Sequence, residues 1–597
     1  MDMNMNKILL QGTFRRFMGK MIANNLMIFL GSVVSGMVIS RYLGTDAMAS
    51  FQITLPLFFL TMMLSQIISM GVQNNCAKSL GAGRPEEADV YYSAAILFAL
   101  PLSLLLAALL FWQAEFCAGL LGAQGTAAAL ADDASAYLRG IAIGLPLLML
   151  LPMQISLLFL EGRAKLAIRA IFVQTAVNIA GAFANVLYFG GGMFGMGLVT
   201  SLGYLVALAA MWGFSSGGKH QIRFTCKGLR PGRILPVLRI GLPSAVDRFY
   251  KSTQMLVINF VLLRTAPSTA IAAFADINAL NNIFNPIVMG LSATTLTMAG
   301  VFTGERDKDS LHHLLRISVK HAVMVTLLTA LATFFAAPLL IGIFVEEQGA
   351  AFETAVRALR IYICYLPVYA VNNVLQKYYL GVNAMKMTYL TSLLDNLLFI
   401  CLLATVLGHA FGADGVWISF LLAEILTTAT LAAVIAWKKK GLPRGIGDFL
   451  CLPKKIAEST SESLARSAAS MEEIVAISEE VRQFLLSHGA SPRDAMFMAL
   501  AIEEMGGNII RWGFGDGKKH SIDILIMEEE KEASWSMRIR DDCKAFDPKE
   551  WLNIHRGEEP ARNIGIRVIC GMAEEVRYSR TLGLNYLLIR VQNCQSL

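Results

Sequence analysis

The sequence predicts an α-helical polytopic membrane protein of twelve spans, arranged as two parallel six-helix repeats and followed by a cytoplasmic α+β sandwich. Three observations carry that reading. Of 597 residues only 16% are charged while 55% are hydrophobic, against about 25% charged in ordinary soluble domains, so most of the chain lies in lipid. Twelve apolar stretches reach the roughly 20 residues that cross ~30 Å of hydrocarbon. After Trp437 the composition changes abruptly to a charged, amphipathic pattern.

The elements follow in order. Residues 1–21 carry Lys7, Arg15, Arg16 and Lys20 without the short apolar core of a cleavable signal, and read as a cytoplasmic N-terminal segment. The first lobe, 22–213, holds spans near 22–40, 52–76, 91–112, 136–160, 168–189 and 195–213. A basic inter-lobe loop, 214–236, leads to the second lobe, 237–437, with spans near 237–263, 270–299, 317–344, 358–380, 388–408 and 414–437. Lys and Arg concentrate in alternate loops, at Lys78/Arg84, Arg163/Lys165/Arg169, Lys219 to Arg233, Arg306 to Lys320, Lys377/Lys386 and Lys438 to Lys440. The intervening loops hold Glu115, Asp132, Asp133, Glu346, Glu347, Glu353 and Asp414, with Arg41 and Arg264 as exceptions. Basic residues are retained inside, so both termini are expected in the cytoplasm and the chain in the inner membrane. The same basic set tracks the face of anionic lipid, which excludes a nucleic-acid patch. Nine cysteines without a CxxC pair argue against a disulfide framework or a structural zinc site.

An internal repeat links the lobes. SLGAGRPEEADVYY (79–92) recurs loosely as VFTGERDKDSLHH (301–313), FLEGRAKLAIRA (159–170) as YLGVNAMKMTYL (379–390), and FGMGLVTSLGYL (194–205) as FGADGVWISFLL (411–422), each about 220 residues on. Six spans per repeat is an even number, so both halves enter the membrane in the same direction and face each other across a cleft. With RYLGTDAMASFQITLPL (41–57), VNIAGAFANVLYFGGGMFGMG (177–197), GLPSAV (241–246) and GADGVWIS (412–419), the order and spacing resemble the multidrug and toxic compound extrusion (MATE) transporter family over about residues 15–440. The resemblance implies a two-lobed secondary exporter of small organic or xenobiotic compounds, driven by H⁺ or Na⁺ entry. It also implies an acid in the first span and another in the seventh, where this chain has Ser35 and Lys251.

Charges inside a span are costly and mark functional candidates. Asp247 lies one helical turn before Lys251 and can pair with it, with Arg248 adding a second cation. Asp276 in the eighth span is expected near the outer water interface. Asp395 in the eleventh is a cavity candidate with a cap on the cytoplasmic side as the alternative, while Glu424 in the twelfth lies deeper. Asn178 in the fifth span completes the candidate transport cavity. Lys251 and Arg248 lining a cleft favour anionic or zwitterionic substrates.

Residues 438–470, rich in Lys, Gly, Pro and Ser, read as a linker, and 471–597 as a domain of ordinary size. Ser491-Pro492-Arg493-Asp494 is a helix start. The helix it opens carries Glu504 and Asn508 four apart, hence on one face, where they can orient a water or hydroxyl and complete a Mg²⁺ shell. Strands at 521–527 and 533–542, an acidic turn, a helix at 563–572 and strands at 575–581 and 584–591 complete an α+β layer sandwich. The set resembles the histidine-kinase-like (GHKL) ATPase fold, in its anti-sigma-factor serine kinase branch. The resemblance implies ATP and Mg²⁺ as cofactors, Glu504 as general base, Asn508 as magnesium ligand, Asp541 as adenine recogniser, Phe546 with Asp547 after the turn, and Gly565 in the lid. It departs at Trp512, Cys543, Ala545 and Asn563, where the family has His or Gly; those glycines permit close backbone approach to nucleotide.

Two functions fit. One is an exporter in the lipid bilayer whose fused domain binds nucleotide and regulates transport of a small molecule. The other is a membrane-tethered serine kinase that uses the bundle as a ligand sensor and phosphorylates a cytosolic anti-anti-sigma-like protein.

Overall fold

The structure, a computed structural model, describes residues 5–121, 130–213, 221–265, 268–342, 349–452, 463–515, 520–529, 534–555 and 564–592. The first lobe comprises α1 (Met5–Val38), α2 (Thr45–Gly81), α3 (Pro85–Trp112), the short α4 (Ala114–Leu120), α5 (Ala131–Leu160), α6 (Ala164–Ala184) and α7 (Gly192–Gly213). The second comprises α8 (Ile234–Thr265), α9 (Ser268–Gly304), α10 (Lys308–Ile341), α11 (Ala350–Ile363), α12 (Leu366–Gly381), α13 (Met385–Leu393) and α14 (Phe399–Lys439). Large apolar side chains such as Leu104, Leu105, Leu328, Phe335 and Leu402 stand exposed around the bundle. Exposed apolar area on this scale belongs in lipid, and the chain is an integral membrane protein.

Among the described residues, nine helical segments are long and apolar enough to cross a membrane, or ten if α11 and α12, bent by 43°, form one span. Two features reconcile this with twelve. The segment Met385–Lys439 breaks at Gly412, whose φ of 63° interrupts the helix, so it supplies two crossings. Helix α8 is 32 residues long, enough to cross, but Arg239, Asp247, Arg248 and Lys251 lower its apolarity.

Small residues let helix backbones approach where lipid offers no hydrophobic drive for packing. Gly140 and Gly144 of α5 face Phe194 to Ser201 of α7 so closely that a Cβ on Gly140 would lie 2.4 Å from the Phe194 carbonyl. The contact between lobes uses the same device. A Cβ on Gly241 of α8 would lie 1.8 Å from the Ile67 carbonyl of α2, and one on Gly304 of α9 would lie 2.1 Å from that of Lys78. Gln73 donates to Thr297 at 2.6 Å and Asn74 to the Leu380 carbonyl at 2.9 Å. All these inter-lobe contacts lie in the half of the bundle nearest the C-terminal domain. Within the first lobe, Glu161 of FLEGRAK accepts the amides of Gln221 and Ile222, which ties down the inter-lobe loop.

The C-terminal domain is a five-stranded antiparallel sheet in the order β1-β2-β3-β5-β4. Its strands are β1 (Ser463–Ala468), β2 (Ile522–Glu529), β3 (Ser534–Asp541), β4 (Glu575–Thr581) and β5 (Leu584–Gln592). Helices α15 (Met471–Ser487), α16 (Pro492–Gly513), α17 (Pro548–Ile554) and α18 (Ile564–Met572) complete it. One sheet face, with Ile524, Ile526, Trp535, Met537 and Ile539, packs on Val481, Leu485, Met498 and Ile502 of α15 and α16. Each such large side chain contributes about 1.5–3 kcal/mol on burial.

Strand β1 corrects the expected linker at 438–470: Ser463 to Ala468 pair with Met527 to Ile522. The segment SLARSA has too few apolar residues to announce a strand, and its pairing comes from a partner some 60 positions away. The antiparallel sheet would ordinarily leave one face wet. Here every residue of β3 is buried, because the bundle covers the other face.

Candidate functional site

The second lobe encloses a polar chamber of about 170 Å³. Its floor is built on α8. Asp247 is 8% exposed, and its Oδ1 accepts from Gln376 Nε2, Ser392 Oγ and Asn396 Nδ2, each at 2.9 Å. Lys251, one turn on, holds its Nζ 3.6 Å from Asp247 Oδ2 and donates to Tyr369 Oη at 3.2 Å. Its side chain is 40% exposed and lines the chamber. A cation stands where the resemblance implies an acid, and it remains close enough to Asp247 for strong attraction.

Opposite lie Asp395 and Glu424, both buried and both lining the chamber. Asn372 Nδ2 donates to Glu424 Oε2 at 2.8 Å, and Thr428 donates to Asn372 Oδ1 at 2.8 Å, which fixes the amide's orientation. Asp395, a cavity candidate from the sequence, is among the residues that line the chamber rather than a cap at the cytoplasmic side. A π-type turn, Leu394–Leu398, rotates it into the lobe, and such turns recur at functional positions.

The remaining wall is aromatic. Tyr362, Tyr365 and Tyr369 stack with ring centroids 4.6 and 5.4 Å apart, and Asn281 bridges the hydroxyls of Tyr362 and Tyr365 at 3.0 and 3.2 Å. The sequence reading missed these tyrosines. Their spacing in IYICYLPVYAV (361–371) puts them on one helical face, which is the signal that could have found them.

Other expected cavity residues lie elsewhere. Asn178 is half-buried on α6 in the first lobe, beside Gly203 of α7. Asp276 is half-buried toward the start of α9 and does not line the chamber. Arg248 is not among the residues that line the chamber. Ser35 donates to the Gly31 carbonyl of its own helix at 2.9 Å. The polar chemistry therefore gathers in one lobe.

A second constellation lies between the helices and the sheet of the C-terminal domain. Glu504 and Asn508 sit half-buried on α16. A Cβ on Gly565, at the start of α18, would lie 2.1 Å from Glu504 Oε2, so any larger residue there would displace the Glu504 side chain. Asp541 ends β3; its Oδ1 accepts from the Cys543 amide and from Asn585 Nδ2, both at 2.8 Å. Burial pushes its carboxyl above the usual carboxylate range, against the pull of these two donors. Phe546 is exposed beside Trp551, with ring centroids 6.5 Å apart. Cys543 fills glycine's place, its Sγ 2.8 Å from where a Gly513 Cβ would stand. Asn563 lies outside the described residues. A fixed acceptor for a nucleobase amino group, a glycine cradle over Glu504 and an adjacent amide for a hydrated cation suit Mg²⁺-ATP.

A two-lobed helical bundle closed at one end, with a polar chamber inside one lobe, defines a transporter-type membrane protein. The MatE family model matches residues 21–184 and 243–406, one segment per lobe and together more than half of the chain. The chain belongs to the MatE family, and the histidine kinase-like ATPase domain model matches residues 467–591. Similar curated proteins include the "Probable multidrug resistance protein YoeA" of Bacillus subtilis, 23% identical over 313 residues, covering 51% of this chain and 66% of the relative. The "FAD transporter" of Shewanella oneidensis is 26% identical over 325 residues, covering 53% and 70%. The chain thus spans about two thirds of the length of these relatives. Among solved structures, MATE in complex with MaD3S aligns with a TM-score of 0.66 at 20% identity, over 71% of this chain and 94% of that one. A MOP superfamily transporter from Pyrococcus furiosus, titled for the reverse polarity of its binding pocket, aligns at 0.63 and 20%, with the same coverage.

Proposed function

We propose that the protein is a MATE-type exporter of small aromatic molecules that are anionic or zwitterionic, with its coupling site in the second lobe. The observation that carries this is the buried Asp395–Glu424 pair facing Lys251 across the chamber. Two buried carboxyls lining one chamber are chemically suited to take up a proton or a monovalent cation and to release it, and the neighbouring tyrosines offer aromatic surface to a planar substrate. Lys251 gives the chamber a cation where an exporter of organic cations would place an acid. The name of the Shewanella relative points to a substrate of the same charge class. Alternating basic loops support placing the C-terminal domain in the cytoplasm, where Asp541, Glu504, Asn508 and Gly565 would hold ATP with Mg²⁺ in a regulatory role. ATP bound there supplies phosphate chemistry; the residues present orient and enclose it.

The test is efflux from proteoliposomes containing the full chain, under imposed H⁺ or Na⁺ gradients, with fluorescent anionic, zwitterionic and cationic substrates. Asp395→Asn and Glu424→Gln should each reduce gradient-driven transport at least tenfold, and Lys251→Met should reduce transport of anions selectively. Equal rates for these variants and the wild type refute the assignment.

A further inference from the structure

The outer face of the C-terminal sheet is not a free surface. Arg538 and Arg540 of β3, with side chains 6% and 0% exposed, meet Glu305 and Asp307 in the turn between α9 and α10, with side chains 0% and 6% exposed. Arg538 reaches Glu305 at 2.5 Å and Asp307 at 2.8 Å; Arg540 reaches Glu305 at 3.3 Å, Asp523 of β2 at 2.9 Å and the Ser310 hydroxyl at 3.1 Å. Phe302 lies under the Arg540 guanidinium at 5.2 Å. This cluster ties the domain to the second lobe.

The same face grips the first lobe through the β4–β5 hairpin. Its two-residue turn, Leu582-Gly583, has φ of 60° and 80°, the conformation of a type I′ turn. Leucine is strained there, yet Leu582 is 5% exposed. Its amide donates to the Leu160 carbonyl at 2.8 Å. Gly583 abuts Gly162 so tightly that a Cβ on Gly162 would lie 2.4 Å from the Gly583 amide nitrogen. Leu582, Leu584 and Tyr586 join the hydrophobic core of the bundle itself. Beside them Arg577 donates to the Gly83 carbonyl at the end of α2 at 2.5 Å.

We propose that this sheet face is a clamp: by binding the α9–α10 turn of one lobe and the α2–α3 and α5–α6 turns of the other, it holds the lobes closed at the domain end, and they separate there only when it lets go. Three points carry the inference. The contacts straddle both lobes rather than one. They sit at the end where Gly241, Gly304 and Gln73 already bring the lobes together. Their chemistry is that of an interface, since arginines and carboxylates buried without solvent are tolerated only when paired with each other. The clamp also adjoins the nucleotide site. Arg540 and Asp541 are neighbours on β3 pointing to opposite faces, so a ligand at Asp541 and the carboxylates at Arg540 bear on one strand. Any effect of clamping on nucleotide affinity is then matched by an equal effect of nucleotide on clamping. The inference rests on the exporter reading only in taking the lobes to move.

The experiment uses the full chain in liposomes, with Cys226 and Cys364 replaced by serine and spin labels at Lys165→Cys and Lys386→Cys, exposed repeat-related positions on the two lobes. Electron-spin distances report the lobes, and hydrogen exchange of residues 301–311 and of the 582–583 hairpin reports docking. Arg538→Met removes the shorter of the two arginine pairs to Glu305 and the 2.8 Å pair to Asp307, and Leu582→Asn removes the apolar plug while suiting the left-handed turn. Each should raise exchange at both contact sites and shift the docked-to-undocked ratio on the order of a hundredfold, the usual scale for breaking a buried pair, with a longer inter-lobe distance appearing. Arg16→Gln, which breaks an ion pair to Asp542 whose arginine is 59% exposed, should leave both readouts unchanged. Undocking with no change in inter-lobe distance, or docking that survives both variants, overturns the clamp. An ion gradient applied to the same liposomes separates the two ideas. Lobes that move while the wild-type domain stays docked sink the clamp alone; lobes that never move in any variant sink the exporter reading.

Discussion

The Asp247–Lys251 pair permits a quantitative test of how the chamber is held together. At 3.6 Å and an effective dielectric of about 20, two unit charges attract by roughly 4–5 kcal/mol. Lys251 is 40% exposed to the chamber, and water there screens the interaction to about 2 kcal/mol. The perturbation is a double-mutant cycle of Asp247→Asn, Lys251→Met and the pair. Asparagine keeps an oxygen for Gln376, Ser392 and Asn396 but turns an amide toward the ammonium, so the single variant should cost about 2–3 kcal/mol. Lys251→Met leaves Asp247 charged and buried with hydrogen bonds only, at about 3 kcal/mol. The double variant should cost about 3–4 kcal/mol, less than the sum of the singles by a coupling near 2 kcal/mol. Unfolding in mixed micelles of increasing denaturing detergent reads the four stabilities. A coupling below about 0.5 kcal/mol would show that the lysine is held by Tyr369 and solvent, and would refute the electrostatic account.

Further outcomes follow from other contacts. Gly565→Ala drives a methyl group into Glu504, so calorimetry of the full chain should show nucleotide affinity falling at least tenfold with the transmembrane helices intact by circular dichroism; unchanged affinity would place the lid elsewhere. Asn508→Ala should weaken ATP binding in Mg²⁺ but not in EDTA, read in the same titration. Gly241→Ala places a methyl group where the Ile67 carbonyl stands, so cross-linking between α2 and α8 should fall sharply. Asn281→Leu removes the bridge between Tyr362 and Tyr365 and should lower aromatic substrate affinity several-fold in a fluorescence-quenching assay, with less effect on thermal stability than Asp247→Asn.

Much of this was legible along the chain because the governing forces are local. Apolar runs of membrane length, alternating basic loops, the duplicated SLGAG, FLEGRAK and GADGVW segments and the Glu504–Asn508 spacing each depend on neighbours within a few turns. The chamber was legible only in part. Asp247 and Lys251 are one turn apart, but the donors that fix Asp247 come from Gln376, Ser392 and Asn396, on helices more than a hundred residues away, and no periodicity announces them. Asp395 illustrates the limit: along the chain a cytoplasmic cap and a cavity place both stayed open for it, and a π-type turn of five residues places it in the chamber wall with Glu424.

By itself, the sequence determined the membrane bundle, its two repeats and four of the five strands of the C-terminal sheet, because burial periodicity and span length are properties of single elements. It also put Arg538 and Arg540 on one face of β3 by simple alternation. Only the tertiary structure decided what that face meets. A row of charges facing water and the same row buried against Glu305 and Asp307 have identical patterns, and the difference is made by packing two separately folded units together.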